Sequence, residues 1–232
     1  MGAIRLTDFG KYFDDSNPNH VAAFQMLQEQ SPQSLMVDEA QWVMKYREKA
    51  PAPPAPAGIC TAELMHRLTG YAANTFDKVF VDDCNRLFAD TGFDKHLDAM
   101  QMLMANMMHE TCNFLYMQEL ASGVAYNNRS DLGNGPHDGP TYKGAGVLML
   151  TGKFNYQRLS DAIKDPKVMD GCDYVASTYP FTSARTWIEE NNLLSVCLNQ
   201  GFDDCCKRIN GGWNGYEDRK AKYAICQREM RL

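Results

Sequence analysis

The chain has 232 residues, and a hydrophobic share of 44% is enough for one substantial core with a smaller appendage. Lysines and arginines number 23 against 29 aspartates and glutamates, so the net charge is −6, which excludes a protein that grips nucleic acid through a broad basic face. No window reaches the roughly 20 apolar residues that span a bilayer, and residues 1–12 hold no apolar stretch of signal-peptide length; a chain made soluble in the cytosol, with no membrane association, is expected.

Residues 1–49 read as a small helical head. Val21, Phe24 and Leu27, then Val37, Ala40, Val43 and Met44, recur at helical spacing, with Pro18 and Asn19 opening the first helix and Pro32 near its end. A segment of this size has little core of its own and is expected to dock on the body or to bind something. The run APAPPAPAG at 50–58 follows, where prolines fix φ and remove hydrogen-bond donors, giving a semi-rigid linker. The body, residues 59–232, is rich in helix, with apolar periodicity over 62–68, 95–110, 184–191, 202–209 and 217–228. Between 126 and 152 glycine, asparagine, aspartate and proline are dense, which predicts loop or a short hairpin.

Eight cysteines are present without CxxC spacing, and a cytosolic chain favours free buried thiols over bridges. The histidines, His20, His66, His96, His109 and His137, are scattered and suggest no metal site. His109-Glu110 begins like HExxH but residue 113 is Asn, GAGVLM at 144–149 lacks the third glycine of a dinucleotide fingerprint, and no GxSxG elbow occurs.

The chemistry concentrates at NMMHETCNFLYMQEL, 106–120. Met100, Leu103, Met107 and Glu110 fall on one helical stripe, so Glu110 is expected to lose hydration at its end, which raises a carboxyl pKa and suits a general acid. Glu119 follows nine positions later. On a straight helix it would lie about 13.5 Å further along and on the opposite face. Two carboxylates that act on one glycosidic bond stand about 6.5 to 9.5 Å apart for inversion, and nearer for retention. The helix must therefore break, and Thr111, Cys112 and Asn113 are weak helix formers.

Four blocks in order, HET at 109–111, ELASGVAYNNRSDLGN at 119–134, DGPTYKGAGVLMLTGKFNY at 138–156 and RINGGWNGYEDR at 208–219, resemble glycoside hydrolase family 19, above all its lysozyme-like phage endolysins, with plant-type chitinases further off. The resemblance implies a mainly α, α+β fold, a lysozyme-like two-lobed body around a sugar cleft. It implies a monomeric, cofactor-free and metal-free inverting enzyme. The bond cut is β-1,4, beside N-acetylglucosamine or N-acetylmuramic acid, in peptidoglycan or, as the alternative, chitin. A non-catalytic wall-binding protein that kept the fold is the reading from another class. An endolysin would be made in the host cytoplasm and would reach the wall through a membrane lesion.

Carried onto this chain, Glu110 matches the general acid and Glu119 the general base. Thr151 matches a water-orienting hydroxyl, and Asn155 and Asn210 match sugar-binding amides. Arg219 matches an arginine that pairs with active-site carboxylates, where a fixed guanidinium favours an ionised base. His109 is expected to support the site without touching substrate. Ala145 and Met149 stand where the family commonly has arginine and glutamine, and Cys112-Asn113 where it usually has glycines.

Overall fold

The computed structural model of the protein describes residues 58–231; the predicted head, and all of the linker but Gly58, lie outside the described residues. Helix α1, Ala62–Thr69, is opened by the Thr61 side chain, which accepts from the Leu64 amide at 3.0 Å. Helix α2, Lys78–Thr91, is opened in the same way by Asp77. Helix α3, Leu97–Glu110, is buried from Ala99 through Met108 on every face, because the run is apolar almost all round. The remaining helices are α4 (Asp138–Thr141), α5 (Lys153–Ile163), α6 (Cys172–Thr178), α7 (Arg185–Glu190), α8 (Leu193–Gln200), α9 (Phe202–Asn210) and α10 (Tyr216–Glu229).

The periodicity locates α1, α3, α7, α9 and α10 to within a few residues, but not α2, whose stripe is broken by polar residues that are nevertheless buried. Asp83 accepts from the amides of Phe181 and Thr182 at 2.7 and 3.0 Å and from the Thr182 hydroxyl at 2.6 Å. Asn85 exchanges two hydrogen bonds with the backbone of Cys60, both 2.9 Å. These side chains pin distant segments to α2 and are fully satisfied where they sit.

Packing falls into two sets. Helices α8, α9 and α10 surround α3, with α1 against α10; α5 and α6 pack about the short 3₁₀ segment Pro166–Asp170, and α4 on the 3₁₀ turn Val124–Tyr126. Helix α7 touches α8 of the first set and α5 of the second and so joins them, and α2 packs against both α6 and α7. The fold is therefore mainly α, and among the described residues β structure is reduced to isolated bridges, Gln118 with Ala145 and Ala145 with Leu150. The segment 126–152 consequently holds turns and a short helix around that minimal bridge instead of a regular hairpin.

All the cysteines but Cys112 are buried, and the Cys60 and Cys84 sulfurs lie 3.2 Å apart. No helix of the described residues is long and apolar enough to cross a membrane.

Candidate active site

Helix α3 stops at Glu110 because the backbone then changes hand. Cys112, Asn113 and Phe114 take φ of 51°, 59° and 68°, three left-handed residues in a row without a glycine among them. Each costs about 1 kcal/mol or more. The turn is held by Thr111, whose hydroxyl donates to the Met107 carbonyl at 2.7 Å and accepts from the Phe114 amide at 2.9 Å. Further bonds run from the Asn113 amide to the Met108 carbonyl (2.7 Å) and from the Tyr116 amide to the Thr111 carbonyl (3.0 Å). The Phe114 ring packs against Phe80 and Phe181, at 5.6 and 5.5 Å. The break expected between the two carboxylates is thus present, and its left-handed path suits the glycines that the resemblance puts at these positions.

Glu110 is half-buried, its side chain 26% exposed, and its neighbour differs from the apolar pocket expected of a stripe end. Oε1 accepts from Nη2 of Arg219 at 2.5 Å. The guanidinium, itself 2% exposed, gives Nη1 to Oδ1 of Asn106 at 2.8 Å and Nε to the Asn214 carbonyl at 3.3 Å. Arg219 thus meets Glu110, not Glu119, and it does so from α10 across to the end of α3. The Asn210 amide donates to the same Asn214 carbonyl at 3.3 Å. His109 pairs through Nδ1 with Asp218 at 2.6 Å, and the two elements approach so closely that a side chain at Gly215 would overlap the imidazole.

Glu119 belongs to a second group. Its Oε1 accepts from the Tyr126 hydroxyl and its Oε2 from the Gly144 amide, both at 3.1 Å, while its own amide donates to the Gly144 carbonyl at 2.8 Å. A side chain at Gly144 would press on Oε2 at 3.3 Å, so the close approach depends on the glycine. Nζ of Lys143 holds the Glu119 and Ala121 carbonyls at 2.8 and 3.1 Å, which fixes the backbone segment carrying the carboxylate. Next to Gly144 lies Met149, whose carbonyl accepts from the Thr151 hydroxyl at 2.8 Å; the Thr151 carbonyl in turn accepts from the Asn155 amide at 2.7 Å. Ala145 is fully buried in the bridge to Gln118 and Leu150, so this position supplies no polar group to a ligand.

Of the residues singled out in the sequence, the structure links Glu110, Arg219 and Asn210 into one hydrogen-bonded group through the Asn214 carbonyl, with His109 paired separately to Asp218. Glu119 forms a second group with Tyr126 and Gly144, and Thr151 and Asn155 bond to each other but not to it. Among the described residues no hydrogen bond or ion pair joins the groups, and no cluster of side chains could hold a metal ion. Asn106, Asp218 and Tyr126 are supporting residues that the sequence reading passed over. Asn106 carried a signal: it is the one polar residue in MLMANMM, 102–108, and stands one helical turn before Glu110. Tyr126 carried none.

Fold and site together define a mainly helical protein with two separately anchored carboxylates. No protein-family model matches the chain. A stretch of 112 residues, 47% of the chain, is 32% identical to an endochitinase of Arabidopsis thaliana, and spans 38% of that protein's length. Among solved structures, chitinase C from Streptomyces griseus HUT6037 is similar with a TM-score of 0.58 at 16% identity, over 78% of this chain and 80% of that one. A point mutant of a chitinase C gives a TM-score of 0.58 at 17% identity, over 76% of this chain and 95% of that one. Likeness at these identities establishes the fold.

Proposed function

We propose that the protein is a glycoside hydrolase that cleaves β-1,4 bonds of bacterial peptidoglycan by inversion, as an endolysin-type muramidase. The observation that carries this reading is the pair of carboxylates placed either side of a forced reversal of backbone hand, each with its own donors. In this reading Glu110 protonates the leaving oxygen and Glu119 takes a proton from the attacking water. Tyr126 and Gly144 hold one oxygen each of Glu119, which leaves further lone pairs of the carboxylate for a water. The Thr151 hydroxyl, with its hydrogen committed to Met149, offers its oxygen to that water as an acceptor. Asn155 and Asn210 supply amides, the group best matched to an acetamido substituent because it donates and accepts together. The order of the four sequence blocks supports the endolysin type, with synthesis in the cytoplasm and action at the wall once the membrane is breached.

The likeness to an endochitinase over 112 residues favours a second reading, chitin as substrate. Purified sacculi and soluble N-acetylglucosamine oligomers, each digested by the full chain and by Glu110→Gln, separate the two. Mass spectrometry of the fragments reports the bond cut and the anomer released. Sacculus cleavage lost in Glu110→Gln is the expected result. Cleavage of oligomers alone makes the protein a chitinase, and equal cleavage by the variant removes Glu110 from the chemistry.

A further inference from the structure

The turn between α9 and α10 presents an indole to solvent. Trp213 is 53% exposed although an exposed tryptophan forfeits the burial its large ring would gain. Its position is nevertheless fixed. Tyr216 meets it edge-on with centroids 4.8 Å apart, and the Tyr216 hydroxyl is itself anchored on Asp203 at 2.6 Å. The ammonium of Lys207 stands 4.5 Å from the indole centroid. A rigid exposed aromatic loses little conformational freedom when a ligand settles on it.

The surroundings define the ligand. Trp213, Gly215, Tyr216, Glu217 and Asp218 line an open surface hollow of about 490 Å³, within the range of small-ligand sites. Its polar groups are the Glu217 carboxylate, the Asp218 carboxylate paired with Lys222 and His109, and the Lys207 ammonium over the indole. That set suits a ring with an apolar C–H face and hydroxyl or amide hydrogens at its edge. The hollow is also tied to Glu110. Asn214, next to Trp213, gives its carbonyl to Arg219 and Asn210, and Gly215 abuts His109.

We propose that Trp213 is a sugar platform on the turn linked to Glu110 through Asn214 and Arg219, taking an N-acetylhexosamine ring of the glycan through its exposed indole with Glu217 accepting hydrogen bonds at the edge. The proposal rests on the glycan-hydrolase reading for its choice of ligand, and it can be tested apart from turnover.

The probe is the β-1,4-linked tetramer of N-acetylglucosamine, titrated calorimetrically into the full chain carrying Glu110→Gln. Adding Trp213→Ala is expected to weaken binding about tenfold, the loss of roughly one aromatic stacking contact, while Trp213→Phe retains most of it. In the active background the same substitution raises KM more than it lowers kcat. Equal affinity with and without the indole, or no binding of the tetramer to the Glu110→Gln chain, overturns the proposal. Trp213-dependent binding in a protein that hydrolyses neither oligomers nor sacculi upholds the platform and removes the hydrolase reading. Hydrolysis with a KM indifferent to Trp213 does the reverse.

Discussion

Asn106 and Glu110, one helical turn apart on α3, share a single buried guanidinium: Arg219 gives Nη1 to the first and Nη2 to the second. Neither end of this arrangement can turn around. Arginine only donates, so Asn106 must present Oδ1 to it, which leaves Nδ2 for the Met102 carbonyl at 2.9 Å. Substituting Asn106→Leu strands one buried N–H of Arg219 and is expected to cost about 2 kcal/mol, a fall in Tm of roughly 4–8 °C. Asn106→Asp keeps the acceptor but adds a second anion that competes for the guanidinium. Its expected signature is a larger loss of activity than of Tm, read by melts and turnover side by side.

Replacing Arg219 itself is more severe. Lysine carries its three donors on one nitrogen and cannot spread them to Glu110, Asn106 and the Asn214 carbonyl as the guanidinium fork does. Arg219→Met leaves all three unserved; because Glu110 is partly exposed the cost is put at about 2–3 kcal/mol, below that of a fully buried pair. Thermal melts should place Arg219→Lys between the wild type and Arg219→Met, and both variants should lose activity by at least about a hundredfold. An active Arg219→Lys would show that the fork geometry is dispensable.

Tyr126 isolates the other carboxylate. Tyr126→Phe removes one donor from Glu119 and leaves the Gly144 amide in place. A hydrogen bond to a charged group contributes about 1.5–3 kcal/mol, so kcat/KM is expected to fall about tenfold or more, with Tm moved by only a few degrees since Tyr126 is half-buried. Parallel kinetics and melts check this; a variant as active as the wild type would show that Gly144 alone orients Glu119.

Stability should depend on pH through Asp83, far from either carboxylate group in role. Burial pushes its carboxyl up from 3.8 to about 6, against the pull of its hydrogen bonds from Thr182 and Phe181. A raised carboxyl binds its proton more tightly when folded, so its contribution is complete below about pH 4 and is lost as pH rises through 6, a change on the order of 3 kcal/mol. Asp83→Asn can keep the pattern, with its oxygen accepting both amides and its NH₂ donating to the Thr182 hydroxyl. Its Tm relative to the wild type is therefore expected to climb between pH 4 and 7. A difference that stays level over that range would mean that Asp83 does not titrate there.

How much of this was legible in the sequence depends on the range of the interaction. The apolar run of 97–108 and the weak formers after Glu110 are local signals, and α3 and its stop follow from them. The helix α2 was hidden because Asp83 and Asn85 look like surface residues until Phe181, Thr182 and Cys60, remote in sequence, satisfy them. The same holds at the site. That Glu110 carries something other than apolar neighbours is decided by a side chain 109 positions away, which no periodicity could place. The resemblance supplied Arg219, but the assignment of its charge to a particular carboxylate required the fold.

The left-handed corner at 112–114 has a bearing on how the chain tolerates change. The chain path from Glu110 to Glu119 runs through one short contiguous span, and each carboxylate is then held by its own donors outside it, Arg219 for the first and Tyr126 and Gly144 for the second. Swapping side chains within that span should be forgiven wherever the corner survives, whereas adding or deleting a single residue there would shift one carboxylate against the other and leave the rest of the molecule intact.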